Sequence, residues 1–118
     1  MATLVALLST GKGTWAELAK LIRAHDWDRI FLITNEFGMS TFNRQQNMEF
    51  ILINPEDSLQ KMIEDMKKGL KDKVLDVDVA LNMSSGSGKE HMALLSCLLK
   101  LGLGIRLVTT ENDKLKEI

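Results

Sequence analysis

Cysteine occurs once in this chain, at Cys97. A single thiol cannot close a disulfide within the chain or build a cysteine-based zinc site, so the sequence fits a reducing, cytoplasmic setting. An excess of one charge is also missing: 15 basic side chains against 16 acidic ones leave a net charge of −1. A protein that coats nucleic acid draws its affinity from many Lys and Arg contacts to phosphates, and this balance excludes general nucleic-acid binding. Long apolar runs are absent, none approaching the roughly 20 residues that span a bilayer. The apolar opening Met1–Leu8 carries no basic leader and breaks at Ser9-Thr10-Gly11-Lys12-Gly13, which argues against a signal peptide. Internal repeats and low-complexity tracts are lacking. What is present is 118 residues, 45% apolar and 26% charged. That suffices for one core and falls short of two ordinary domains, so one domain is expected over residues 1–118.

Apolar runs and helical patterns alternate along the chain. Thr3 to Ser9 is nearly continuously apolar, as in a strand buried on both faces. Thr14 and Glu17 have the spacing of a capping box, which predicts a helix from Thr14 with Leu18, Leu21 and Ile22 as its apolar stripe. Asp26-Trp27-Asp28 closes it, and Arg29 to Asn35 is the second strand. Glu36 to Met48 allows a flexible loop or a short helix. Glu49 to Asn54 is the third strand, and Asn54-Pro55-Glu56-Asp57 predicts a helix from Pro55 to about Lys71 that buries Leu59, Met62, Ile63, Met66 and Leu70. Its opposite face mixes charges of both signs and is read as solvated. Val77 to Asn82 is the fourth strand. The helix from Lys89 to Leu101 is apolar nearly all round, which predicts cover on both sides, the sheet on one and a second copy of the chain on the other. Gly104 to Thr109 is the fifth strand, and the charged tail 110–118 is a short helix, a frayed end or a linker.

Strands alternating with helices predict an α/β, Rossmann-like, three-layer fold with a mostly parallel five-stranded sheet and helices on both faces. A strand order of 3-2-1-4-5 reverses direction between strands one and four, and ligands of such sheets bind beyond the carboxyl ends at that reversal. The two stretches flanking it are 9–14 and 82–89, where Gly, Ser, Thr and Lys concentrate. Small residues before a helix start admit a ligand close to unpaired N–H groups and a partial positive charge, the chemistry of an anion site. Hydroxyls of Ser9, Thr10, Thr14, Ser84, Ser85 and Ser87, with Lys12 and Lys89 as point charges, suit phosphate or a phosphodiester.

Other chemistries fit less well. A Walker A loop is excluded because Met83 stands where its first Gly belongs and Glu90 where its hydroxyl belongs. A serine-nucleophile elbow needs Gly-x-Ser-x-Gly, and only Gly-Ser-Gly is present at 86–88. A dinucleotide site draws on Gly11, Gly13 and Ala16 with Glu36 after the second strand, and ranks behind a phosphodiester site because Lys12 and the second polar loop are foreign to it.

The stretches Leu8-Ser9-Thr10-Gly11-Lys12-Gly13-Thr14 and Leu81-Asn82-Met83-Ser84-Ser85-Gly86-Ser87-Gly88-Lys89, the latter running into Met92-Ala93-Leu94-Leu95, resemble the two loops of a CARF domain, the CRISPR-associated Rossmann fold. Ser85-Gly86-Ser87-Gly88 replaces the commoner Thr-Gly-Gly-Thr. The resemblance spans the chain and implies a homodimeric sensor that cradles a cyclic oligoadenylate messenger, cyclic tetraadenylate above all, in type III CRISPR antiviral defence. It implies ligand contacts from Ser9, Thr10, Gly11, Lys12, Gly13, Thr14, Asn35, Phe37, Asn82, Ser84, Ser85, Gly86, Ser87, Gly88 and Lys89. Phe37, Met39, Arg44 and the amides of 43–47 would form a lid toward the bases. No cofactor and no metal is implied, and an effector, fused or separate, would receive the signal. A ring nuclease that linearises the messenger through 2′-OH attack is the enzymatic alternative, with Lys12, Lys89 and His91 as candidate catalytic groups. His25, beside Asp26, is read as structural.

Overall fold

A computed structural model describes residues 2–8 and 12–118, residues 12–14 by their backbone alone. Its elements are β1 (Thr3–Leu8), α1 (Lys12–Arg23), β2 (Arg29–Thr34), α2 (Glu36–Thr41), β3 (Met48–Leu52), α3 (Leu59–Leu70), β4 (Asp78–Asn82), α4 (Gly88–Lys100), β5 (Gly104–Glu111) and β6 (Lys114–Glu117). The sheet runs β3-β2-β1-β4-β5-β6, parallel from β3 to β5 with β6 antiparallel to β5. The architecture is Rossmann-like α/β, with six strands where five were expected.

The sixth strand corrects the reading of the tail. Residues 110–118 complete β5 and fold back as β6, through a two-residue turn in which Asn112 and Asp113 have φ of 54° and 60°. Positive φ at both turn positions is the twist that joins antiparallel strands closely, and Asn and Asp tolerate it better than most residues. Leu115 then adds to the core beside Val108.

Strand periodicity divides the core. Val5, Leu7, Phe31, Ile33, Val79 and Leu81 point to one face and meet Met62, Ile63 and Met66 of α3 and Ala93, Leu94, Cys97 and Leu98 of α4. Leu4, Ala6, Leu8, Ile30, Leu32 and Ala80 point to the other, where Leu18, Leu21 and Ile22 of α1 and Trp27 lie. β1 is buried at every position, as its unbroken apolar run requires.

Helix starts differ from expectation at α1 and α3. α1 begins at Lys12, so Thr14 lies inside the first turn and is not its cap; Glu17 faces Lys20 at 3.8 Å instead. α3 begins at Leu59, where the Ser58 side chain accepts from Lys61 N–H. Asn54 spends its capping capacity on its own turn, the side chain accepting from Glu56 N–H at 3.0 Å and the carbonyl from Asp57 N–H. α2 resolves the open segment into a short helix capped by Asn35. α4 is covered by the sheet and by α3, which packs along it. Its outer flank is bare in the single chain, with Met92 and Leu99 at 61% and 67% exposure, so cover on both sides is not met within one molecule.

Among the described residues no helix is long and apolar enough to cross a membrane.

Two outcomes follow from this packing. A Cβ at Gly69 would stand 2.7–2.8 Å from three carbons of Ile51, a β-branched side chain with little freedom to move. Gly69→Ala, which would gain about 1 kcal/mol on an exposed helix, is expected to lose about 1–2 kcal/mol here through overpacking, measured by urea unfolding. Burial lifts the Cys97 thiol from its ordinary 9.0 to about 11, so it stays protonated and shielded at neutral pH. Ellman's reagent is expected to react with the folded chain only slowly and with the urea-unfolded chain at once. Because the folded thiol resists ionisation, stability falls as pH rises from about 9 through about 11.

Candidate ligand site at the carboxyl ends of the strands

β1 and β4 are neighbours, with Leu4 opposite Ala80 and Ala6 opposite Asn82. Each leads at its carboxyl end into a helix, α1 on one face of the sheet and α4 on the other. The strand order reverses between them. The carboxyl ends of the two strands that precede the Gly/Ser/Lys stretches in the sequence are therefore adjacent at the reversal. Ser9, Thr10 and Gly11 lie outside the described residues. Lys12, Gly13 and Thr14 form the first turn of α1 by backbone, which places them at a helix start and not in a loop.

The β4–α4 loop is held by its own side chains. Asn82, buried at the end of β4, donates from Nδ2 to the Val108 carbonyl at 2.9 Å and accepts at Oδ1 from Ser84 N–H at 3.2 Å, so it ties the loop to β5. Ser85 is buried while Ser84, Ser87 and Gly88 are exposed. Gly86 has φ of +106°, and a Cβ there would lie 3.1 Å from Leu7 and 3.2 Å from His91, so the turn needs glycine twice over. His91 reaches back from α4 with Nε2 3.0 Å from the Ser85 carbonyl. A carbonyl only accepts, so that nitrogen carries a proton. One ring nitrogen of His91, the candidate general acid or base, is thus engaged in holding the loop.

α4 opens with a capping box. The Ser87 hydroxyl accepts from Glu90 N–H at 3.2 Å, and the Glu90 carboxylate accepts from Ser87 N–H at 2.7 Å. Glu90 is only 6% exposed. The Ser-x-x-Glu spacing at 87–90 was present in the sequence as the signal for it, and it starts the helix ahead of the expected Lys89. The box leaves the N–H groups of Gly88 and Lys89 as first-turn donors without an intrahelical acceptor. It also lays a carboxylate beside the positive helix end, so an anion brought there meets that charge as well.

Lys89 is engaged with the 54–57 turn. Its ammonium donates to the carbonyls of Pro55, at 3.2 Å, and of Asp57. Those residues border a cavity of about 560 Å³ beyond the ends of β2 and β3, lined by Asn35, Glu36, Phe37, Leu52, Asn54 and Asp65 among others. Asn35 and Phe37, expected to touch ligand, line this cavity, which lies at a different place on the sheet edge from the reversal. Asn35 is also the cap of α2, accepting from Gly38 N–H at 2.9 Å. Phe37 stands 5.9 Å from Trp15 of α1, and Trp15 in turn 6.1 Å from Phe42. Arg44 lies over Phe50, 5.7 Å from its ring, and Met39 is exposed.

The described candidate residues therefore fall into two groups bridged by Lys89. Leu52, Asn54, Asp57 and Asp65 went unread as site residues because the 54–57 stretch carries a helix-start signal that masks a turn. Their carboxylates, with Glu36, suit hydroxyl and amino groups more than phosphate. Among the described residues, no cluster of three or more His, Cys, Asp or Glu is placed to hold a metal ion. His25 packs edge-on against Trp27 at 4.6 Å. No protein-family model matches this chain, and no curated protein matches it significantly.

Removing the Glu90 side chain breaks half the capping box and frees the Ser87 N–H group. Glu90→Ala is expected to cost about 1–2 kcal/mol, whereas Glu90→Gln, which retains the acceptor, is expected to keep most of that stability. Parallel thermal melts of both variants check this.

Proposed function

We propose that this chain is a CARF-like sensor domain that binds a cyclic oligoadenylate, cyclic tetraadenylate above all, across a homodimer in type III CRISPR antiviral defence. The observation that carries the reading is the adjacency of β1 and β4, the parallel strands after which the two Gly/Ser/Lys stretches follow in the sequence, at the point where the strand order reverses. First-turn N–H groups of α1 and α4 would meet phosphates there. The cavity beside Phe37 has the volume and mixed lining of a nucleoside site, with carboxylates for ribose hydroxyls and an aromatic edge for a base. The bare apolar flank of α4 at Met92 and Leu99 supports a second copy as the partner, since a twofold interface presents one patch twice. Four lysines, Lys12 and Lys89 from each chain, would then face a ring of four phosphates without making the protein basic. A cytoplasmic setting follows from the messenger, and an effector, fused or separate, would receive the signal.

Lys89 reaches a phosphate only by leaving the carbonyls of Pro55 and Asp57, so binding and movement of the 54–57 turn are linked in this reading. Calorimetry with cyclic tetra- and hexaadenylate is expected to show one ring per two chains. Lys12→Ala and Lys89→Ala are each expected to weaken binding by about tenfold or more, the usual scale for a lost charge-assisted contact. Linear products on chromatography of the same sample would make the chain a ring nuclease. Absence of binding by either ring overturns the sensor reading. Binding of NAD instead, reduced by Glu36→Ala, would establish the dinucleotide reading, which the exposed position of Glu36 just past β2 favours.

A further inference from the structure

At the opposite edge of the sheet, before β4 and β5 begin, the carboxyl ends of α3 and α4 enclose a cleft of about 410 Å³. Leu70, Val74, Leu101 and Leu103 form its apolar floor, and Lys67, Lys71 and Lys100 stand on its rim. The chain leaving Val74 continues through Leu75 and Val77, which are 85% and 86% exposed, the two barest large apolar side chains described. The Val77 carbonyl accepts from Gly104 N–H at 2.9 Å, which fixes this segment beside Leu103. Exposed apolar residues this prominent, next to an apolar cleft, mark an interaction surface.

Charge selects the partner. Among the described residues none of the three rim lysines forms an ion pair, although eight such contacts are made by others. The charges of Lys67 and Lys100 both reach the buried Cys97, so the two helices bring them together. Asp72 is the one carboxylate on the rim, and two helix ends add about half a negative charge each, which leaves a surplus of about one positive charge. The site is concave and has an apolar floor. A bilayer surface or a nucleic-acid duplex does not enter such a cleft, whereas a side chain does.

We propose that the cleft between the carboxyl ends of α3 and α4 docks an acidic protein segment, one that inserts an apolar side chain onto Leu70, Val74, Leu101 and Leu103 and sets flanking carboxylates against Lys67, Lys71 and Lys100. The inference is independent of the messenger reading, because the cleft and the candidate ligand site lie at opposite ends of the strands. It is tested by selecting a phage-displayed random peptide library on the whole chain. Peptides pairing a Leu or Phe with neighbouring Asp or Glu are expected to be enriched, to shift the amide resonances of 70–77 and 100–103, and to bind about tenfold more weakly to Lys67→Glu/Lys71→Glu/Lys100→Glu. Leu75→Ser/Val77→Ser, at positions too exposed to support the fold, is expected to weaken the same peptides. Enrichment without acidic residues, or affinity indifferent to both variants, overturns the proposal. So does lysine-dependent sedimentation with phosphatidylserine vesicles in the absence of peptide binding, which would make the surface a membrane contact.

Discussion

The parallel pairing of β1 with β4 is the constraint on which the rest of the molecule depends. β1 lies inside the sheet, buried on both faces, with β2 on one side and β4 on the other. The chain leaves β1 toward one face and β4 toward the other, so two helix starts diverge from adjacent strand ends and open the sheet edge between them. A slip of one residue in this pairing would turn Val79 and Leu81 away from α4 and bring Ala80 into their place. The core and the candidate site are thus two consequences of one register.

The way α4 begins governs what the edge offers a ligand. Its capping box binds Ser87 and Glu90 together, Asn82 ties the loop to β5, and His91 holds the Ser85 carbonyl from within the helix. A polar loop whose side chains are engaged this way is shaped before any ligand arrives, which lowers the ordering cost of binding. It presents backbone donors and small residues more than free side chains. With Glu90 tucked beneath it, the loop is less positive than a Gly-Ser-Gly-Lys stretch suggests, and Lys89 serves the neighbouring 54–57 turn. Under the proposed reading, phosphates would be met chiefly by N–H groups, and sugars and bases by the more acidic cavity past β2 and β3.

Placing polar chemistry at the carboxyl edge leaves the other end of the sheet free for a different use. There α3 and α4 end side by side, and lysines that form no ion pair among the described residues stand around Leu70, Val74, Leu101 and Leu103 at the margin of the core. Since α4 runs from the candidate ligand loop to this cleft, one rigid element connects the two surfaces.

Periodicity and turn chemistry alone determined most of the fold. Apolar runs, continuous in β1 and alternating in β4, placed β1 to β5, the 3.6-residue spacing of Met62, Ile63, Met66 and Leu70 placed α3, and the alternation of strand and helix patterns implied the parallel sheet and its reversal point. The stretch after β4 was legible as a turn into a helix, because Gly and Ser before a helix mean the same thing locally as in the folded chain. Tertiary structure decided where local signals competed. Thr14 and Asn54 carry capping signals, yet Glu17 pairs with Lys20 and Asn54 closes its own turn, because capping groups serve whichever donors the packed backbone leaves unpaired. Likewise, Asn112-Asp113 becomes a hairpin turn only because β5 offers an edge to pair with. The partners of Lys89 and the cavity beside Phe37 were beyond the sequence for the same reason. Lys89 meets a turn more than 30 positions away, and the cavity joins residues 35–37 to residues 52–65, contacts that the sequence does not reveal until the sheet has formed.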